Sequence, residues 1–166
     1  EEVNVFLRPY PRHDFPQEKL DWIYGKFGFL GSRPLKHVGS SKTNWEFDET
    51  SLNLLANTLA HADMVLTMYS TFFIEAAIFD KPLIGVAFDG RKNLDYWNSA
   101  RRFFEWDHLA ELKPLGGIWL VNSEEELAEA INTYLQNPER LSAGRKKIVS
   151  RQAQFTDGRS AERVAN

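Results

Sequence analysis

The chain reads as an α/β protein of the doubly wound kind, with a mostly parallel sheet of about five or six strands covered by helices on both faces. Two observations lead there. Apolar runs of strand length alternate with stretches of helical periodicity, the pattern of βαβ units. The runs, Leu83-Ile84-Gly85-Val86-Ala87-Phe88 above all, are apolar at successive rather than alternate positions, as strands buried on both sides must be.

The elements follow in order. Val3 to Leu7 is the first strand. Asp14 and Pro16 then open a helix through about Lys26, the proline fitting a first turn whose N–H groups lack partners anyway. Leu35 to Val38 is the second strand. Asp48 caps the next helix, whose Leu52, Leu55, Ala56 and Leu59 recur at i, i+3, i+4 and i+7. Met64 to Thr67 is a strand that turns directly into a helix, and Leu83 to Phe88 and Ile118 to Val121 complete the strand set. Ser123 with Glu126 is a capping box ahead of the stripe Leu127, Ala130, Ile131, Tyr134, Leu135. Pro138 restarts a basic helix through about Gln152, and Asp157-Gly158 precedes a short last helix, Ser160 to Val164. Each crossover is expected to be right-handed.

Composition bounds the function. The 166 residues are 43% apolar and 26% charged, with net charge −3, and no repeat or linker divides them, so residues 1–166 read as one globular domain. Such a length buries roughly two thirds of its unfolded surface and needs no metal or disulfide staple. The absence of cysteine excludes thiol catalysis, Cys-type metal sites and disulfides. A pI near 5.8 argues against nucleic acid as a partner. No apolar window approaches the eighteen or so residues of a membrane span, and the start Glu1-Glu2-Val3 is unlike a signal peptide, so a soluble, cytoplasmic protein is expected. A β-like run at the first residues, without an initiator Met, reads as a piece of a longer protein.

Ligands of open α/β sheets bind beyond the carboxyl ends of the strands. The sharpest such junction is Thr67-Met68-Tyr69-Ser70-Thr71, where unpaired N–H groups, the positive helix end and two hydroxyls suit a phosphate or diphosphate. Glu75, four residues beyond Thr71, shares its helix face and is placed to accept hydrogen bonds from sugar hydroxyls. The plainer reading makes Ser70 an N-cap and Glu75 a solvated acid. Against it, Glu75 sits in sequence among Phe72, Phe73, Ile74, Ala76, Ala77, Ile78 and Phe79, where an unpaired charge is costly, so a partner or a cleft is expected for it.

Taken in order, Asp63, Ser70-Thr71, Glu75-Ala76 and Lys81-Pro82 resemble the donor-binding half of GT-B glycosyltransferases, and within them the CDP-glycerol glycerophosphotransferase-like group and its surface-polysaccharide relatives. Val5-Phe6-Leu7-Arg8-Pro9-Tyr10-Pro11 is similar to that group's strand ending in Arg-Pro-His-Pro, with Tyr10 at the His position. Asp157-Gly158-Arg159-Ser160-Ala161-Glu162-Arg163 resembles its closing Asp-Gly-Lys-Ala-Ser-Glu-Arg segment, and Met68-Tyr69-Ser70-Thr71 replaces its Asp-Tyr-Ser-Ser.

The resemblance implies a Rossmann-like C-terminal half in which Ser70 and Thr71 contact the donor diphosphate and Glu75 the ribose hydroxyls. The substrate is then a nucleotide-linked sugar or polyol, with no further cofactor. Arg8, Arg12 and His13 follow the first strand, and Arg8 and His13 are the catalytic candidates, a cation there offsetting charge on the phosphate leaving group; each read alone is a surface cation. Asp89 and Gly90, in a turn with Arg91, are further donor-contact candidates, as is Ser40 near the base, with Trp45 for stacking. Trp97, Arg101, Arg102, Phe103, Phe104 and Trp106 form either an acceptor channel or a partner face, or else ordinary core with solvated arginines. His37, His61 and His108 have no ligand spacing, and Glu46-Phe47-Asp48 reads as a helix-cap region, so no metal is expected. The acceptor site is expected on an N-terminal domain outside this chain, and the full-length protein at the inner face of the membrane, peripherally associated and active in cell-envelope carbohydrate assembly. A sugar-nucleotide epimerase of the same architecture and a non-catalytic α/β interaction module are the alternatives. The lack of Gly-x-Gly-x-x-Gly and Gly-x-Ser-x-Gly counts against a dinucleotide oxidoreductase and an α/β-hydrolase.

Overall fold

Three apolar runs of the second half pair as a parallel sheet in the computed structural model. These are β5 (Val65–Thr67), β6 (Leu83–Val86) and β7 (Ile118–Val121), in the order β5-β6-β7, with Val65 opposite Leu83 and Leu83 opposite Ile118. The model describes residues 4–8, 16–27, 30–31, 36–37, 45–46 and 48–165. By its contacts the chain divides into two compact units, Glu1–Thr58 and Leu59–Asn166.

In the first unit, β1 (Phe6–Leu7) pairs in parallel with β2 (Leu30–Gly31), and α1 (Gln17–Phe27) lies between them in the chain. This is one βαβ step of the expected kind. β3 (Lys36–His37) pairs antiparallel with β4 (Trp45–Glu46). The expected parallel strand from Leu35 to Val38 is therefore corrected: its described part joins a short local pair, which needs no helical crossover. α2 (Glu49–His61) starts where Asp48 was expected to cap it, with the Asp48 carboxylate accepting from the Ser51 N–H at 2.7 Å.

In the second unit each strand of the parallel sheet is followed by helix. α3 (Phe72–Ile78) links β5 to β6. A 3₁₀ helix (Ala100–Glu105), α4 (Asp107–Leu112) and a 3₁₀ turn (Lys113–Leu115) link β6 to β7, and α5 (Glu124–Gln136), α6 (Ser142–Gln152) and α7 (Ser160–Ala165) close the unit. Successive strand residues face opposite sides, so both faces are filled. On one, Ile84 and Val121 pack against Ala130 and Tyr134 of α5, with Leu127 and Ile131 beside them. On the other, Gly85 faces Phe104, Leu120 and Ile118 so closely that a Cβ would strike them. Phe73 and Ala76 of α3 are fully buried, and burying a phenylalanine contributes about 2–3 kcal/mol.

The architecture is thus α/β with a parallel sheet, as expected. The expected five or six strands in a single sheet are not what the described residues display: the parallel sheet has three, and the other two sheets have two each. The strand order also follows the chain order, so this sheet supplies no reversal point among the described residues.

The Ser123 half of the capping box forms as read, while its Glu126 half reaches one residue further back than the cap. Ser123 Oγ accepts from the Glu126 N–H at 3.2 Å, and the Glu126 carboxylate reaches back to the Asn122 N–H at 2.7 Å. The helix expected to restart at Pro138 begins instead at Ser142. The Pro138 and Arg140 carbonyls are taken by the buried Arg145 guanidinium at 2.9 and 2.7 Å, and Leu141 turns left-handed at φ 64° before the helix opens. A helix running from Pro138 would have spent those carbonyls on its own backbone. α6 approaches the start of β7 backbone to backbone: any Cβ at Gly144 would collide with the Gly116 carbonyl. Among the described residues, no helix is long and apolar enough to cross a membrane.

Candidate functional site

The carboxyl edge of the parallel sheet gathers most of the residues singled out above. After β5 the chain passes through a four-residue turn, Met68 to Thr71, into α3, and Thr71, its N-cap, already holds helical angles (φ −57°, ψ −15°). Ser70 Oγ accepts from the Phe72 N–H at 3.1 Å, while the Ser70 and Thr71 carbonyls accept from Phe73 and Ile74 at 3.2 and 2.8 Å. Three of the amides expected to be free, those of Phe72, Phe73 and Ile74, are therefore bonded within the turn, the first of them to the Ser70 side chain. The Ser70 hydroxyl keeps its proton to donate, and the Thr71 side chain, which is exposed, makes no capping bond.

Glu75 follows one turn on, and it is exposed. The buried stripe of α3 is Phe73, Ala76 and Ala77, and helical periodicity leaves Glu75, Ile78 and Phe79 outside it.

After β6, Asp89 and Gly90 turn the chain, Gly90 at φ 63°. The Asp89 carboxylate accepts from the Ala100 N–H at 2.7 Å, and this bond, with one from Ser99, holds the carboxyl below its ordinary value. Asp89 thereby fixes the start of the 3₁₀ helix. A cavity of about 320 Å³ opens beside it, lined by Asp89, Gly90, Arg91, Lys92, Arg101 and the first turn of α5. Arg101 is held over its wall by bonds to Ser99 Oγ at 3.0 Å and the Leu94 carbonyl at 3.2 Å. Ser70, Thr71 and Glu75 are not among the walls of this cavity. The structure therefore makes two groups at neighbouring strand ends, Ser70-Thr71-Glu75 after β5 and Asp89-Gly90 with the cations after β6.

The aromatic and basic cluster is part core and part exposed. Phe104 is core, 4% exposed and 6.4 Å from Phe73 between ring centroids. Phe103 stacks on Tyr69 at 4.0 Å with the rings 8° from parallel, and Arg102 lies over the Phe103 and Trp106 rings at 4.5 and 4.8 Å. Trp97 is 66% exposed. Arg8 follows β1 in the first unit and is half-buried. His13, Arg12, Ser40 and Lys42 lie outside the described residues.

Two pairings had no signal in the sequence. Tyr69 with Phe103 joins segments far apart in the chain, and so does Asp80 with Arg145, where Arg145 Nε donates to Asp80 Oδ1 at 2.6 Å and Ser142 Oγ to Asp80 Oδ2 at 2.8 Å. Burial pushes the Asp80 carboxyl up, but the bonds from Arg145 and Ser142 and the Arg145 charge outweigh it and leave the carboxyl below its ordinary value.

A parallel sheet whose strands are each followed by helix puts the second unit in the broad class of α/β proteins. The chain's place within that class comes from its sequence. Residues 33–166 match the family model described as CDP-glycerol:poly(glycerophosphate) glycerophosphotransferase, and the chain belongs to that family. No curated protein and no solved structure gives a match.

Proposed function

We propose that the chain is the donor-binding half of a GT-B-type transferase that moves glycerol phosphate from CDP-glycerol to a hydroxyl of a growing glycerophosphate polymer at the cell envelope. The acceptor oxygen attacks the phosphorus that carries glycerol. The bond from that phosphorus to the bridging oxygen breaks, CMP leaves with the electron pair, and the acceptor proton passes to a base. The protein's task is to hold the diphosphate and offset charge on the departing phosphate. In this reading the Ser70 and Thr71 hydroxyls and the start of α3 hold the diphosphate, and Glu75 accepts from the ribose hydroxyls. Asp89 and Gly90 border the donor. Arg8 and His13 as catalytic residues, and Ser40 near the base, rest on the resemblance alone.

The observation that supports this best is positional: the Ser70-Thr71 junction falls within the segment matched by the family, in the short turn that joins the carboxyl end of a parallel strand to a helix. Membership of a transferase family favours transfer over the epimerase alternative and over a non-catalytic module. The test is calorimetric titration of the chain with CDP-glycerol, CDP and UDP. Saturable binding of CDP-glycerol, weakened about tenfold or more by Ser70→Ala and by Glu75→Ala, is expected, since each change removes a hydrogen bond to a charged or polar ligand group. Binding by both variants equal to that of the unaltered chain rejects the assignment.

A further inference from the structure

We infer that Phe103 is a positioning residue for the Tyr69-Ser70-Thr71 turn, acting through a ring clamp that fixes the turn without using either hydroxyl; its relevance to the donor rests on the function proposed above. Consecutive residues of a 3₁₀ helix point about 120° apart. Phe103 and Phe104 accordingly diverge and engage Tyr69, just before Ser70, and Phe73, in the first turn of α3. Phe103 stacks on Tyr69 on the near side at 4.0 Å, and Phe104 meets Phe73 on the far side at 6.4 Å.

The inner pair is ordinary core, since Phe73 and Phe104 are 0% and 4% exposed. The outer pair is not: Tyr69 is 48% exposed, so core filling does not explain its near-parallel stack. Phe103 is itself braced, by the edge of Trp106 at 5.6 Å and by the Arg102 guanidinium lying over both rings. The 3₁₀ helix bearing these rings is tied to the end of β6 where Asp89 accepts from the Ala100 N–H. Force on the turn thus runs from β6 through Asp89 and the 3₁₀ helix to Phe103 and Tyr69. The Ser70 and Thr71 hydroxyls remain available, and a turn held in place before the ligand arrives has less ordering to lose on binding.

The test combines amide hydrogen exchange in the ligand-free chain with CDP-glycerol titration, for Phe103→Ala, Tyr69→Ala, the double variant and Phe103→Trp. Expected are exchange at the Phe72 and Phe73 amides faster by about 2- to 12-fold in each alanine variant, the range one aromatic pair supplies, and CDP-glycerol binding weaker by a similar factor. The double variant is no worse than either single one, α5 amides are unchanged, and Phe103→Trp restores both readouts. If Phe103→Ala proves unable to fold, Tyr69→Ala, at a half-exposed position, carries the same comparison. Unchanged exchange at the turn, or single effects that multiply in the double variant, overturns the clamp. Normal CDP-glycerol binding by Phe103→Ala beside weakened binding by Ser70→Ala overturns it too and leaves the donor reading standing. Faster exchange in a chain that binds no CDP-glycerol upholds the clamp and removes the donor reading.

Discussion

Truncating Asp80 to alanine tests how α3 is held at its other end. Asp80 follows the helix in a left-handed conformation, φ 49°, and its carboxylate faces Arg145, whose side chain is 1% exposed against 39% for Asp80. Without Asp80 the guanidinium keeps its bonds to the Pro138 and Arg140 carbonyls but loses its counter-charge. Removing one partner of a fully buried pair costs about 3–5 kcal/mol. The open side of Asp80 admits water to the vacated space, so an expected loss of about 2–3 kcal/mol is the discounted figure. For a unit of roughly a hundred residues that lowers Tm by roughly 10–20 °C. Thermal unfolding followed by circular dichroism reads the effect. Asp80→Asn, which tolerates the left-handed angles and keeps an acceptor, should lose about half as much. Asp80→Ala combined with Arg145→Met removes the buried charge but also the donors to the Pro138 and Arg140 carbonyls, so it should recover only part of the loss. If both single Asp80 variants stay within about 0.5 kcal/mol of the unaltered chain, the buried ion pair is not what anchors the helix.

Other outcomes follow from the same geometry. Ser123→Ala removes the acceptor for the Glu126 N–H and should cost about 1 kcal/mol in chemical denaturation, with α5 otherwise intact. Gly144→Ala sets a methyl group against the Gly116 backbone, which no side-chain rotation relieves, and should cost at least 1–3 kcal/mol or prevent folding, as read by soluble yield and Tm. Because the Asp80 carboxyl lies below its ordinary value of 3.8 when folded, its contribution is complete above about pH 5 and is lost as pH falls through the depressed folded value. Acid titration of Tm should therefore show a steeper decline for the unaltered chain than for Asp80→Asn.

The legible parts of this molecule are those written in local sequence. The cap at Asp48, the capping box at Ser123 and the runs that became β5, β6 and β7 follow from spacing and apolar pattern, signals that neighbouring residues carry together. The region from Ala100 to Leu115 was illegible as structure, because its short 3₁₀ and α segments have no sustained periodicity and are held by Asp89 and by ring contacts distant in the chain. α6 began later than Pro138 suggested because Arg145, a residue further along, claims the carbonyls before it. At the candidate site the sequence singled out Ser70, Thr71, Glu75 and Asp89 and offered two readings of the turn after β5. The plainer one, Ser70 bonding into its own helix start and Glu75 exposed, matches the geometry; the bond from Ala100 to Asp89 had no local signal, since it joins residues distant in the chain.

The most direct measurement is a backbone amide shift map of the chain as CDP-glycerol is added. The largest changes should fall on Thr71, Phe72 and Phe73 at the start of α3, with smaller ones at Asp89 and Gly90. Shifts confined to other strand ends, or a spectrum indifferent to CDP-glycerol, would mean that the turn after β5 does not hold the donor.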